Sequence, residues 1–178
     1  NLLDESTLYP EECTIENTKE VTALLEAYGV PVYLSGHLHL QRIKKHTSNL
    51  NTPGGYGIRE IVTSPLPMAP CQYSILNWQA DGSLSYHTKK VDIAGWAQRY
   101  GEEDENLLNF DAYADQFLVD VISEQAFKAL QSASKDIKEE MARLYADMNR
   151  DYCSGTKIDV AKIRKSEAYQ YWIRYSGN

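Results

Sequence analysis

A chain of 178 residues with 43% hydrophobic and 24% charged side chains can bury a core of one ordinary domain, or of one and a half small ones. Its formal net charge of −7 argues against a general binder of nucleic-acid backbones, because neutralising phosphates takes a basic surface. There is neither an apolar run of spanning length nor a charged-then-apolar secretory signal, and Cys13, Cys71 and Cys153 are too scattered for a disulfide scaffold or a structural zinc cluster, which leaves them as small buried hydrophobes.

Asn1 to Cys13 lacks periodicity and reads as a loop, with a short strand end at Leu2 and Leu3. A helix follows. Asn17 can cap it with Glu20 three residues on, as in a capping box, and Val21, Leu24, Leu25 and Tyr28 recur on one face. Gly29 and Pro31 end it, and Val32 to Leu34 reads as a buried strand, so helix, turn and strand form one unit of a layered α/β fold.

The strand runs into Ser35-Gly36-His37-Leu38-His39. In open α/β sheets ligands bind outside the carboxyl ends of strands, and Gly36 is expected to let the backbone turn sharply or approach a ligand closely there. Neutral imidazole is the commonest protein metal ligand, and a pair at i and i+2 can hold one ion or reach two neighbouring ions. The plainer reading of His37 and His39 is one satisfied core histidine and one facing water, although two of only four histidines fall within three residues.

Gln41 to His46 is basic and lies just past this site; it can attract an anion, but solvated charges on a strand or loop are the commoner outcome, for His46 as well. Asn49 to Gly57 is rich in Asn, Thr, Pro and Gly and reads as a connecting loop. Ile58 to Thr63, Gln72 to Gln79 and Ser83 to Val91 read as strands, the last two joined as a hairpin by Ala80-Asp81-Gly82, with His87 on the polar face. From Ile93 the apolar period becomes helical. Tyr113, Phe117, Val121 and Ile122 mark one stripe, and Ile137, Met141, Leu144, Tyr145, Met148 and Tyr152 mark a second facing it. Gly155 breaks the chain before a last helix capped by Asp159, with Val160, Ile163, Ala168, Trp172 and Tyr175 along one side. The aromatic ending from Tyr169 to Tyr175 suits a core more than a partner surface. Residues 102 to 151 hold thirteen acidic and five basic side chains against twelve and thirteen elsewhere, which marks a change of module near residue 100.

The run V-Y-L-S-G-H-L-H closely resembles the last signature of the calcineurin-like metallophosphoesterases, a hydrophobic strand followed by Gly-His-x-His. The segments I-R-E-I-V-T-S-P-L, Q-Y-S-I-L-N-W-Q and G-S-L-S-Y-H-T-K-K resemble that family's closing strands, so the likeness covers roughly residues 1 to 92. The family's earlier signatures, Asp-x-His, Gly-Asp-x-x-Asp, Gly-Asn-His-Asp/Glu and a separate histidine, do not occur. The resemblance implies a partial metallophosphoesterase-type α/β layered β-sandwich over residues 1–95 and an α-helical extension over 96–178. It implies hydrolysis of phosphomonoesters or phosphodiesters by water held on two divalent ions, Mn, Fe or Zn. His37 is then a ligand of one ion, shared with the missing Asn and single histidine, and His39 a ligand of the other. No catalytic residue is assigned, the absent amino-terminal half of the catalytic domain becomes a required partner, and the isolated chain is expected to bind metal weakly or not at all and to be inactive. A noncatalytic binding module that works through its helices is the alternative.

Overall fold

The computed structural model describes residues 2–3, 13–46 and 57–175. These form mixed α/β structure in two compact units, Asn1–Pro65 and Leu66–Asn178. The expected loops over 4–12 and 49–56 lie outside the described residues.

The first unit holds α1 (Thr18–Ala27), β1 (Val32–Ser35), β2 (Arg42–Lys45) and β3 (Arg59–Val62). Asn17 precedes α1, but its side chain makes no capping bond, so the expected capping box does not form. The helix stops where the sequence says it should. Gly29 adopts φ 68°, and its amide and that of Val30 bond to Glu26 and Leu25 carbonyls, the paired bonds of a Schellman ending. Only half of the expected apolar face is buried: Val21 and Leu25 pack with Ile15, Tyr33 and the buried Leu2, Leu3 and Ile58, while Tyr28 is 80% exposed. Tyr28 and Leu24 lie to one side of the arc that meets the sheet, and Thr22 is buried in their place.

The sheet order is β1-β3-β2, with β1 parallel and β2 antiparallel to β3. Among the described residues β1 is therefore an edge strand rather than the buried strand that its apolar run suggests, and Leu34 is 60% exposed. In β3 alternate residues point to one face, and Ile58, Glu60 and Val62 are all fully buried there.

The second unit begins with a hairpin, β4 (Gln72–Trp78) and β5 (Leu84–Lys90), whose strands pair from Gln72↔Lys90 to Trp78↔Leu84. Gly82 at φ 81° closes its turn. His87 is exposed, as its alternation predicts. The Gln72 amide donates to the Cys153 carbonyl at 3.1 Å and Lys90 pairs with Asp111 at 2.7 Å, so the hairpin is tied to helices of the same unit.

Helices α2 (Ile93–Tyr100) and α3 (Glu105–Leu108) lie ahead of the three helices expected. Both starts are capped in the usual way, Asp92 accepting from the Gly95 amide and Asp104 from Asn106. The antiparallel pair α4 (Phe110–Ala129) and α5 (Lys135–Ser154) forms the body. The buried side of α4 is Leu118 and Val119 with Ala114 and Ile122, not the stripe through Tyr113 and Phe117, which stack on each other in the open. On α5 the buried residues are Met141, Ala142, Ala146 and Cys153, and Tyr145 and Tyr152 from the expected stripe are exposed. Gly155 ends α5 at φ 76° as expected. The single last helix is two, α6 (Val160–Arg164) and α7 (Glu167–Tyr175), because Ser166 Oγ donates to the Ile163 carbonyl and accepts from the Tyr169 amide, ending one helix while starting the next. Trp172 Nε1 donates to the Met141 carbonyl at 2.9 Å and docks α7 on α5. Among the described residues no helix is long and apolar enough to cross a membrane.

Candidate metal centre

Because β1 and β3 are parallel, their carboxyl ends lie on one edge of the sheet. Ser35 pairs with Val62 in register, and Arg42, the first residue of β2, pairs with Val62 from the other side. Residues 36–41 must therefore arch over the end of β3. Two bonds hold this arch to the next segment: Thr63 N–H donates to the Ser35 carbonyl at 3.0 Å, and Ser64 N–H donates to the Gln41 side chain at 3.4 Å. Leu40 is buried and anchors the arch from below.

His37 and His39 are both exposed on this arch. Each has a left-handed backbone, φ 72° at His37 and φ 53° at His39. The Leu38 amide bonds back to the Gly36 carbonyl at 2.9 Å, so His37 is the centre of a γ-turn with positive φ, a rare and strained form. Gly36 itself does not take a positive φ, and a Cβ added there would meet nothing within 4 Å. The left-handed turn belongs to the histidines, whose Cβ atoms make it costly. Strained non-glycine residues cluster at ligand sites, where surrounding structure enforces them.

The strand end below the arch also meets Glu60, which the motif-based reading does not single out. Its carboxylate is fully buried and accepts from the amides of Leu2 and Leu3 and from Ser35 Oγ, each at 2.7 Å. A signal for it exists in the sequence: in I-R-E-I-V the period of two places an acid on the same face as Ile58 and Val62. Arg42 and Lys44 stand on this face as well, opposite Val62 and Glu60. His46, expected to be merely solvated, is exposed but bonds through Nδ1 to Glu26 Oε1 at 2.8 Å, linking β2 to α1.

The donor chemistry of the arch suits a metal in part. Two neutral imidazoles favour ions such as zinc or iron. Among the described residues no group of three or more His, Cys, Asp or Glu side chains is placed to hold an ion. His87 lies in the hairpin of the second unit, with no part in this arch.

No curated protein matches the chain. Residues 92–178, from the aspartate that caps α2 onward, match the family described as the C-terminal domain of cyclic nucleotide phosphodiesterase, so this helical segment is similar to a domain of a phosphoesterase-related family.

Proposed function

We propose that the chain is the carboxyl-terminal portion of a metal-dependent phosphodiesterase of the calcineurin-like type, acting on a cyclic nucleotide. The observation that carries this reading is the order of two independent features. A Gly-His-Leu-His arch at the ends of parallel strands is followed, after the remaining strands, by a segment that matches the C-terminal domain of cyclic nucleotide phosphodiesterase.

In this reading His37 and His39 hold two divalent ions, manganese, iron or zinc, together with ligands from the amino-terminal half of the catalytic domain. Such a pair of ions supplies an activated water and offsets charge on the phosphoryl oxygens. The chain's own share is positional: the left-handed backbone presents both imidazoles from one rigid strand end, and neutral imidazole is the ligating form. Arg42 and Lys44 add positive charge on the sheet that carries the arch, which favours an anionic phosphodiester. With two ligands the isolated chain does not complete a site.

The test is hydrolysis of a 3′,5′-cyclic nucleotide by the full-length protein that contains this chain, in manganese. His37→Ala and His39→Ala should each lower kcat by more than the ~10–100-fold typical of losing an outer-shell partner of a metal ligand. Unchanged turnover in both would overturn the proposal in favour of a noncatalytic module.

A further inference from the structure

We propose that Glu60 is the positioning residue of the histidine arch: its buried carboxylate holds Ser35 Oγ and so fixes the strand end from which His37 and His39 are presented. Three observations converge on it. Glu60 is fully buried, and its two oxygens receive three hydrogen bonds of 2.7 Å, two from the amides of Leu2 and Leu3 and one from Ser35. Burying a carboxylate is expensive unless donors replace its water, and here they come from a distant segment and from the strand end itself. Ser35 is also the last residue of β1, and its carbonyl accepts from Thr63. Two residues later the backbone turns left-handed at His37.

The strained turn needs a rigid base. A γ-turn at a residue with a Cβ relaxes if its flanks can move. The ladder holds Ser35 in the plane of the sheet through β3. The side-chain bond to Glu60 adds an attachment on the face of the sheet. An aliphatic residue at position 60 would fill the same space without gripping Ser35, which accounts for an acid where β3 otherwise buries Ile58 and Val62.

The positional claim stands on this geometry, and its meaning for metal binding rests on the reading of the histidines as ligands. Ser35→Ala removes the hydroxyl alone, and Ser35→Thr keeps it with a side chain well suited to a strand. In the full chain, Ser35→Ala should speed hydrogen exchange of the Leu38 amide about tenfold, the scale of one hydrogen bond to a charged group, with exchange in α1 unchanged. Zinc affinity measured by titration calorimetry should fall by about the same factor, and Ser35→Thr should restore both. Glu60→Gln should move both readouts in the same direction as Ser35→Ala. Unchanged exchange at Leu38 in Ser35→Ala, or a threonine variant that fails to restore it, would overturn the positioning role. If the wild-type chain binds no zinc, the metal reading fails, and Leu38 exchange alone still decides whether Glu60 sets the arch.

Discussion

His37 and His39 hold backbone angles that L-residues avoid, φ 72° and φ 53°, while the neighbouring glycine does not. The left-handed conformation costs a residue with a Cβ about 1 kcal/mol, a cost that glycine escapes. His37→Gly relieves about 1–2 kcal/mol of left-handed strain and gives back about 0.4–1 kcal/mol to the freedom of the unfolded chain, so the unfolding free energy in urea should rise by about 0.5 kcal/mol; a fall of about 1 kcal/mol would show that the turn is not strained. Gly36→Ala should be tolerated, with a change of about +0.5 kcal/mol from the reduced freedom of the unfolded chain. At this scale the spacing of the two histidines was legible, because it is a matter of residue type. Which residue takes the left-handed turn was not, since it depends on how the arch closes over β3. Glu60 was half legible: its alternation with Ile58 and Val62 announces a buried acid, but its partners Leu2, Leu3 and Ser35 come from pairings that only the fold makes.

Helix α4 shows what an element can conceal. Its apolar residues lie all round, and an aromatic stripe through Tyr113 and Phe117 competes with an aliphatic one through Leu118 and Ile122. Contact with Ala69 and Cys153 selects the aliphatic side, which can approach α5 closely, and leaves Phe117 58% exposed. Leu118→Ala should thus cost about 2–5 kcal/mol, whereas Phe117→Ala should stay within about 0.5 kcal/mol; the reverse order in urea denaturation would restore the aromatic face as core. Starts and stops of helices were better marked than faces. Gly29 and Gly155 both end helices with positive φ, and Asp159 caps α6 through a 3.0 Å bond from Lys162 N–H. The same signals were present at Asp92 and Gly101 for α2, which is too short for its apolar period to stand out.

Over the whole molecule, the match to the C-terminal domain of cyclic nucleotide phosphodiesterase begins at Asp92 and runs through the helices. The change of period from two to 3.6 near Ile93 made the helical segment legible, while the grouping of the hairpin with the helices follows from Gln72 and Lys90, whose bonds carry no sequence signature. Two buried thiols in this unit also set a response to alkali. Burial pushes the Cys71 and Cys153 thiols upward; at Cys71 nearby Asp111 adds to the rise and Lys90 works against it. The native state then keeps these protons where the unfolded chain, with thiols near 8.5, loses them. Their contribution is complete below that value and fades as pH rises past it, so urea midpoints should decline above pH ~8.5 and Cys153→Ala should flatten the decline. An equal slope in that variant would assign the loss to other groups. The central claim, that the arch is a metal site, is tested most directly by calorimetric titration of zinc into the wild-type chain and into His37→Ala, His39→Ala and His87→Ala. The account predicts weak binding that is reduced in each of the first two variants and unchanged in the third; equal binding in all four proteins would contradict it.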